Sequence, residues 1–431
     1  MVVRPSTPWR VLIWPGGTEI GLELRQALGW CKELELLSAS AAVSSHAPFA
    51  FVRHFTLPSV HEPGWFEALE TRLQEHAITH VFPAHDDVLL ALAEVANRLQ
   101  TKVVTSPVTT CRIVRFKSST LRYFSGVVPT PAVFAKLEDV GEFPVFVKPD
   151  RGQGSFNAAR VDDAAQLRAL MAEDPSRLIL EYLSGPEFTV DCFSDREQGL
   201  QYCRGRQRGR IRAGIAMDSH FVEDPRFEEM GRAISARLPF HGAWFFQVKA
   251  ATDGTFKLLE VAPRIGGTSG LSRASGVNLP LLSLYEAERI PVRIAPGSVK
   301  VEIDRALVNR YRLSLDYRTL YVDLDDTLVV RGRVNPELIK LIYQALTRGV
   351  RLVLLTRHDG DLEQVLKGYR LYGLFDEVVH LRGGESKAAY VTDPSGLFID
   401  DSFSEREAVR NATGIAVADP SMVESLLDDR L

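Results

Sequence analysis

Short apolar runs flanked by glycine and proline alternate with amphipathic stretches from one end of this 431-residue chain to the other. The run RVLIWPGG at residues 10–17 reads as a buried strand that enters a glycine turn, and EIGLELRQAL at 19–28 then has helical spacing. Strands that alternate with helices in this way favour a parallel sheet with helices on both faces. We therefore predict a first α/β domain over residues 1–112.

Paired β runs replace this alternation between residues 113 and 296. The phrases PVFVKPDRGQGSFNAARV, LILEYLSGPEFTVDCFS and FFQVKAATDGTFKLLEVAPR each read as two strands joined by a turn, which indicates an α+β domain over 113–296. Residues 297–318 are polar and read as a connector, and strand–helix alternation resumes over 319–431. The fold class predicted for the chain is therefore α/β and α+β multidomain, in keeping with its length.

Charge and cysteine usage exclude several classes of protein. The net charge is −4 with acids and bases well mixed, so no basic groove for nucleic acid is indicated. The four cysteines are scattered without a CxxC pair, which favours buried thiols in a reducing compartment. No apolar run spans a bilayer and no signal-peptide pattern begins the chain, so we expect a cytoplasmic protein without a membrane partner. A homo-oligomer is left open.

Two loops of the first domain are assigned structural roles. The glycine-containing stretch at 16–21 follows a strand and opens a helix, but it lacks the G-x-G-x-x-G spacing and reads as a tight turn. His85, Asp86 and Asp87 look like a metal-binding set, yet they follow the strand THVFP directly. A helix cap is the favoured interpretation of these three residues.

A lysine and a glycine-rich turn stand together in the middle domain. The phrase FPVFVKPDRGQGS at 143–155 places Lys148 at the end of a β run, and the turn over residues 151–155 follows at once. The backbone N–H groups of such a turn, beside an ammonium group, can hold phosphate oxygens. The P-loop spacing is absent, and a hairpin turn beside a surface lysine is the commoner explanation for this phrase alone.

Acidic and amide side chains on neighbouring β runs indicate a metal site. Glu181 and Glu187 bracket one predicted strand–turn–strand, while Gln247 and Glu260 lie on the two arms of the next. Oxygen atoms on paired strands can converge on one magnesium ion, which prefers such ligands. The phrase PRIGGTSG then supplies Arg264 and a loop of small residues.

These phrases together carry a resemblance. Lys117 before GVVPTP, then VKPDRGQGS, EYLSGPEFTVD, FFQVK and LLEVAPRIGGTSG follow the order found in the ATP-grasp superfamily, and residues 1–296 resemble its carbamoyl-phosphate-synthase-like branch. The resemblance implies a Rossmann-like pre-ATP-grasp domain and an ATP-grasp domain that uses ATP and Mg²⁺, with Mn²⁺ as an alternative. The implied reaction converts a carboxylate and ATP to an acyl-phosphate, which an amine or related nucleophile attacks.

The resemblance also implies a role for each matching residue. The expected contacts are Lys117 and Lys148 with the ATP phosphates or base, Glu181, Tyr182 and Leu183 with adenine, Glu187 with the ribose, Gln247 and Glu260 with magnesium, and Arg264 with the transferring phosphoryl group or the acyl-phosphate. One position departs from the family phrase Glu-x-Asn-Pro-Arg, because Ala262 replaces the metal-binding asparagine. The site then either keeps more waters on the ion, which magnesium tolerates, or has altered activity.

Five arginines at alternate positions occupy CRGRQRGRIRAG, residues 203–214: Arg204, Arg206, Arg208, Arg210 and Arg212. On one continuous strand these side chains would share a face. One interpretation is a solvated, charged hairpin without a functional role. The other is an anion-binding strand, which is favoured because the enzymes that this sequence resembles carry arginines near this position. We predict that Arg206 and Arg212 bind the cofactor or acceptor through its anionic groups.

The last domain repeats one pattern, in which an apolar run ends in polar side chains. Asp323 and Asp325 follow LYV, Thr356 ends LVLLT, Lys387 lies in GGESK, and Asp400 and Asp401 follow LFI. Ligands gather at the carboxyl ends of strands in open parallel sheets, so these groups are expected to share one cleft. Two carboxylates there can bind magnesium and act as nucleophile and acid.

This pattern resembles the haloacid-dehalogenase superfamily over residues 319–431. The resemblance implies that Asp323 attacks phosphorus and that Asp325 protonates the leaving oxygen and then activates water. It further implies phosphoryl contacts from Thr356 and Lys387, and magnesium binding by Asp323, the Asp325 backbone carbonyl, Asp400 and, in support, Asp401. The gaps between successive motifs are too short for a cap domain, so a capless Rossmannoid domain is expected.

Two catalytic modules on one chain favour a bifunctional biosynthetic enzyme. Its substrates would be a small-molecule carboxylate and an amine, or a phosphorylated metabolite. Such fusions resemble those associated with tellurite-resistance and secondary-metabolite operons. Two alternatives stay open: an active phosphatase whose ATP-grasp module binds nucleotide without ligating, and an ATP-grasp kinase that releases ADP without an amine. A nucleic-acid-binding role ranks last on charge balance.

Overall fold

The computed structural model describes residues 8–42, 44–152, 157–212, 214–297 and 299–430. These residues form two compact units: a first unit that ends at Leu307 and a second unit over Val308–Arg430. Residues 153–155 of the predicted glycine-rich turn lie outside the described part of the chain. Within that described part, no helix combines the length and the apolar character needed to cross a membrane.

A five-stranded parallel sheet opens the first unit, as the alternating pattern predicts. Its elements are β1 Trp9–Trp14, α1 Glu19–Leu28, β2 Leu34–Ser40, α2 Ala47–Ala50, β3 His54–Thr56, α3 Trp65–Glu75, β4 His80–Pro83, α4 Asp86–Val95, a 3-10 turn Ala96–Arg98, β5 Lys102–Val103 and α5 Val108–Arg115. The strand order is β3-β2-β1-β4-β5, and all neighbours are parallel. Apolar side chains on the two sheet faces form two separate cores. The Thr18 hydroxyl accepts a hydrogen bond from Gly21 N (3.0 Å) and caps α1 directly after the glycine turn.

A small antiparallel sheet follows. Its elements are α6 Lys117–Phe124, β6 Val133–Phe134, a 3-10 turn Leu137–Asp139, β7 Val145–Lys148, β8 Ala159–Val161, α7 Ala164–Glu173 and β9 Leu178–Glu181. The strand order is β6-β9-β7-β8. β7 and β8 form the predicted hairpin, and their apolar residues pack with Leu167 of α7 in a core of their own. Lys148 is the last residue of β7, as the sequence predicts.

A larger antiparallel sheet completes the first unit. Its elements are β10 Glu187–Asp195, β11 Gly199–Arg208, β12 Ile211–Arg212, β13 Ile215–Ala216, β14 Asp218–Val222, α8 Pro225–Arg237, β15 Gly242–Ala250, β16 Phe256–Ala262, α9 Gly270–Ala274, α10 Leu279–Ala287 and β17 Glu302–Asp304. Six strands run in the order β16-β15-β10-β11-β14-β17, while β12 and β13 pair as a separate hairpin. β17 lies within the predicted connector, where it pairs with β14. The β15–β16 hairpin turns at Gly254, whose φ of +81° suits glycine.

The hairpin predicted within LILEYLSGPEFTVDCFS is wrong. β9 pairs with β6 and β7, whereas β10 pairs with β11 and β15 in the other sheet. The intervening residues pass closely over β15, where Gly185 N donates to Ala250 O at 3.0 Å. A Cβ on Gly185 would lie 2.7 Å from that carbonyl oxygen, so this crossing needs glycine. The two glutamates at its ends therefore belong to different sheets.

The second unit is a five-stranded parallel sheet between helices. Its elements are β18 Thr319–Val322, β19 Val329–Val330, β20 Arg333–Val334, α11 Pro336–Thr347, β21 Arg351–Thr356, α12 Leu362–Gly368, β22 Glu377–His380, a 3-10 turn Lys387–Tyr390, β23 Gly396–Ile399, α13 Phe403–Thr413, β24 Ala416–Ala418, a 3-10 turn Pro420–Met422 and α14 Val423–Leu426. The order β22-β21-β18-β23-β24 puts β18 at the centre. Apolar cores cover both faces. Residues 308–430 are all described and hold no further element that would serve as a cap.

Candidate active sites

A cleft of about 610 Å³ opens beside the hairpin of β15 and β16 in the first unit. Gln247 and Glu260 are directly opposite each other on these strands, and both line the cleft. Cross-strand neighbours have their Cβ atoms close together, so two oxygen-bearing side chains meet here. Among the described residues, none forms an ion pair with Glu260. A carboxylate without an ion pair there, beside an amide oxygen, is a donor set that fits magnesium.

The two predicted phosphate-binding lysines approach this region from different elements. Lys148 at the end of β7 is 8% exposed, and its Nζ lies 3.5 Å from the Leu259 carbonyl oxygen. Burial lowers the pKa of Lys148 to about 8, although the nearby Glu260 carboxylate acts to raise it. Lys117 begins α6, and its Nζ donates to Gly152 O at 3.1 Å. Lys117, Gly152 and Glu260 also line a second cavity of about 420 Å³ together with Ala262.

The predicted adenine hinge has its side chains already engaged. The Glu181 carboxylate accepts two hydrogen bonds from Lys257 Nζ, at 2.6 and 2.7 Å. The Tyr182 ring lies 4.9 Å from the guanidinium carbon of Arg160, and Leu183 is buried. The backbone groups of residues 181–183 therefore remain available to bind a ligand.

The arginine-rich segment does not share one face. β11 ends at Arg208, so only Arg204, Arg206 and Arg208 follow strand alternation, whereas Arg212 lies exposed on the separate hairpin β12–β13. The chain turns at Gly209, where a Cβ would lie 2.0 Å from Asp218 Oδ2, and this turn ends the strand. The prediction that all five side chains align is therefore wrong.

Two of these arginines are held by acids of the same sheet. Arg206 is 1% exposed and forms a two-pronged ion pair with the equally buried Asp191, with N–O distances of 2.8 and 3.1 Å. Arg208 Nη1 donates both to Glu187 and, at 2.8 Å, to Gln247 Oε1. Arg208 thus links the predicted ribose-binding residue to a predicted metal ligand. Sequence reasoning did not assign Arg208 this position, because only the sheet register brings the three together.

Arg264 lines the same cleft and is bound to the first sheet. Its guanidinium forms a two-pronged ion pair with Asp86, the first residue of α4, and lies 5.2 Å from the Phe245 ring centre. Burial alone would raise the pKa of Asp86, but Arg264 lowers it to about 2. The predicted helix cap is confirmed, since His85 Nδ1 accepts from Asp87 N at 3.2 Å. Arg264, the partner of Asp86, lies 178 residues further along the chain and left no local signal.

A buried charge cluster lies at the centre of the second unit. Lys387 Nζ donates to Asp323 Oδ1 at 2.7 Å and to Asp400 Oδ2 at 2.6 Å. Asp323, Asp400 and Asp401 each offer an oxygen within 4.8 Å of the others. Burial raises the pKa of Asp323 to about 6 against the opposing effect of Lys387. Burial would lower the pKa of Lys387, but Asp323 and Asp400 raise it. Three acidic oxygens so close together fit a divalent cation.

Neighbouring groups complete this site. Thr356, at the end of β21, is fully buried, and its hydroxyl has no hydrogen-bond partner among the described residues. Buried hydroxyls are nearly always satisfied, so this one is free to serve a ligand. Sequence reasoning missed two contacts: His358 Nδ1 lies 2.8 Å from Asp325 Oδ2, and Thr327 Oγ1 accepts from Asp401 N at 2.9 Å. Thr327, two residues after Asp325, was an available signal in the sequence, whereas His358 follows Thr356 and stands beside none of the predicted acids.

Sequence comparisons find a matching family and similar enzymes. A family described as "ATP-grasp in the biosynthetic pathway with Ter operon" matches residues 173–306. The D-alanine–D-alanine ligase of Marinomonas sp. (strain MWYL1) is 34% identical over 101 residues, 20% of this chain and 31% of that protein. The arginine-specific carbamoyl phosphate synthase large chain of Bacillus subtilis (strain 168) is 24% identical over 198 residues, 42% of this chain. The chain thus spans only 31% and 18% of these relatives.

The similarity to solved structures covers about two thirds of the chain. The biotin carboxylase of Campylobacter jejuni, solved as a β-γ-ATP complex, matches 66% of this chain and 72% of its own with a TM-score of 0.55 and 14% identity. The L-amino acid ligase of Bacillus licheniformis matches 67% of this chain and 75% of its own with a TM-score of 0.53 and 19% identity. The second unit is far too short to supply that coverage. The first unit of this chain therefore shares the fold of these two solved enzymes, and residues 173–306 within it match an ATP-grasp family.

Proposed function

We propose that this chain is a bifunctional enzyme, with an ATP-dependent ligase in the first unit and a magnesium-dependent phosphatase in the second. The ligase joins a small-molecule carboxylate to an amine or related nucleophile, and the phosphatase acts on a phosphorylated metabolite. The observation that carries the ligase half is the cross-strand pair of Gln247 and Glu260, which shares one cleft with Arg264. The nucleotide in the similar biotin carboxylase supports ATP as the co-substrate.

In the ligase half, the residues of the cleft position ATP and stabilise charge. Magnesium held by Gln247 and Glu260 would neutralise phosphate charge. Lys117 and Lys148 hold phosphate oxygens, Glu187 binds the ribose, the backbone at 181–183 binds adenine, and the exposed Arg212 meets anionic groups of cofactor or acceptor. Arg206, for which the sequence also predicted such a contact, is instead held by Asp191. A substrate carboxylate oxygen attacks the γ-phosphorus while the bond to ADP breaks, and Arg264 stabilises the transferring group. An amine then attacks the acyl-phosphate and releases phosphate.

In the phosphatase half, the cluster around Lys387 divides the chemistry among its members. Asp323 attacks phosphorus to form an aspartyl-phosphate, and Asp325 protonates the leaving oxygen and later takes a proton from the attacking water. Lys387 and the unpartnered Thr356 hydroxyl bind phosphoryl oxygens. Magnesium held by Asp323, the Asp325 backbone carbonyl and Asp400, with Asp401 in support, would supply charge neutralisation.

ADP release tests the ligase half directly. The full chain is incubated with ATP and magnesium against a panel of carboxylates and amines, beside Glu260→Gln and the matched control Glu138→Gln, which changes an exposed carboxylate. We expect substrate-stimulated ADP release from the wild type and the control, and a loss of at least about 100-fold in Glu260→Gln, because an amide binds magnesium less well than a carboxylate. Equal activity in Glu260→Gln and wild type would contradict the proposed metal role.

One observation favours a second candidate for the first unit. Ala262 ends β16 and lines the cavity beside Glu260, where the family phrase has a metal-binding asparagine. A nucleotide-binding module that does not ligate would bind ADP yet release none from ATP with any substrate. Release of ADP that depends on a carboxylate but not on an amine would instead identify a kinase. The same panel separates these outcomes.

The pH dependence of nucleotide binding reports on Lys148. Its pKa of about 8 in the free protein means that the ammonium form prevails below pH 8 and is lost as pH rises through this value. Phosphate oxygens bind the protonated form, so we expect the dissociation constant for ADP to increase above pH 8, by at most about tenfold per pH unit. Titration calorimetry at pH 7, 8 and 9 measures this change. Lys148→Arg keeps its charge and should flatten the profile; a wild-type profile that is already flat would contradict the prediction.

A further inference from the structure

The loop that follows Arg264 leaves a small space bordered by opposite charges. Gly267 has no side chain, and a Cβ there would lie 3.4 Å from Arg305 Nη1 and 3.6 Å from Glu19 Cγ. Gly267 and Glu19 both line the cleft that holds Gln247 and Glu260, so this space opens into it. Arg305 follows β17, and its backbone N–H donates to Met217 O at 2.7 Å. A cationic and an anionic side chain thus approach the same point from different elements.

Neither charged side chain forms an ion pair within the described residues. Arg305 Nη1 is buried without a hydrogen bond, and neither Arg305 nor Glu19 forms an ion pair there. The other charges around the loop are matched: Arg264 with Asp86, Arg273 with Glu23, and Arg206 with Asp191. A buried charged donor without an acceptor is costly, so it points to a ligand that supplies one. The ligand must offer an anion to Arg305 and a cation to Glu19.

We propose that this space binds an α-amino acid as the carboxylate substrate of the ligase, an inference that rests on the proposed function of the first unit. Glu19 accepts hydrogen bonds from the α-ammonium group, and Arg305 binds one carboxylate oxygen. The second carboxylate oxygen attacks the γ-phosphorus of ATP, the bond from that phosphorus to the β-bridging oxygen breaks, and ADP leaves with those electrons. The product is an aminoacyl-phosphate whose ammonium group stays on Glu19. The amine that next attacks comes from a second substrate.

The test measures ADP release by the full chain with the common L-amino acids as probes. The best amino acid is then compared with its N-acetyl derivative, its deaminated acid and its α-carboxamide. We expect the free amino acid to stimulate ADP release, and the N-acetyl derivative and the deaminated acid to lower kcat/KM at least about tenfold, because each removes the charged contact with Glu19. The α-carboxamide should not stimulate ADP release, because it lacks the attacking carboxylate oxygen. A deaminated acid that serves as well as the amino acid would overturn the inference while leaving the ligase function intact.

Three variants locate the site. Arg305→Met and Glu19→Gln remove one charge each, and Gly267→Ala fills the space while keeping both charges. We expect each to raise the KM for the amino acid at least about tenfold with the KM for ATP unchanged, whereas the exposed controls Lys300→Met and Glu302→Gln behave as wild type. Unchanged amino-acid KM values in the three variants would reject this site. If the protein binds ADP but no carboxylate or amine of any kind stimulates the release of ADP from ATP, the proposed ligase function fails, and this inference fails with it.

Discussion

Asp323→Asn is expected to reduce magnesium-dependent hydrolysis of an aryl phosphate at least about 10⁴-fold, because an amide cannot attack phosphorus. Asp323 directly follows the central strand β18 and is bound by Lys387, whose Nζ lies 2.7 Å from its carboxylate. The variant keeps the volume of the side chain. Lys387 also keeps its ion pair with Asp400, so the buried cluster retains a partner for its cation.

The control for this experiment is Asp316→Asn, which changes an exposed carboxylate on the segment before β18. It should hydrolyse the aryl phosphate as the wild type does, and circular dichroism should show that both variants are folded. Hydrolysis in Asp323→Asn above about one tenth of the wild-type rate would place the nucleophile elsewhere. The aryl phosphate is a generic probe, so this outcome does not depend on knowing the natural substrate.

The second large effect concerns stability and lies in the first unit. Asp191→Leu is expected to lower the free energy of unfolding by about 3–5 kcal/mol, because it leaves the Arg206 guanidinium buried without its counter-ion. Both residues are 1% exposed, so solvent cannot replace the lost carboxylate. In the double variant Asp191→Leu, Arg206→Met the unpaired charge is gone, and most of the stability should return.

Tryptophan fluorescence in urea measures this loss selectively. All five tryptophans of the chain belong to the first unit: Trp9, Trp14, Trp30, Trp65 and Trp244. Their unfolding transition therefore reports that unit alone. Glu228→Ala removes a highly exposed ion pair with Arg232 and should shift the midpoint little. A single variant Asp191→Leu as stable as the wild type, or a double variant that recovers nothing, would show that the unpaired guanidinium is not the cause of the loss.

The clustering of side chains at the proposed site of the second unit was predicted from the sequence because most of them stand at strand ends. Asp323, Thr356 and Asp400 each end or follow an apolar run, and a parallel sheet brings such ends to one edge. Lys387 was grouped with them in the sequence analysis, but it lies on a 3-10 turn rather than at a strand end, so the strand-end rule does not account for its position. The contact of His358 with Asp325 depends on how the loop after β21 folds back, for which no spacing rule exists.

The cleft of the first unit was harder to predict from the sequence, because its residues come from more than one sheet. The Asp253-Gly254 turn correctly predicted the β15–β16 hairpin, and hence the pairing of Gln247 with Glu260. Turn residues do not say which sheet a strand joins, and this is why β9 and β10 were wrongly paired. The ion pair of Arg264 with Asp86 joins residues 178 positions apart, and only tertiary packing brings them together.

Each group of the proposed phosphatase site lies within the second unit, whose two apolar cores are built from its own strands and helices. A gene segment that encodes a complete active site can fuse with another coding sequence, and neither of the two then has to evolve new active-site residues. Translation as one polypeptide then fixes the ratio of the two proposed activities at one molecule to one. A pathway that uses both would keep them balanced through every change in expression, without separate regulation of two genes.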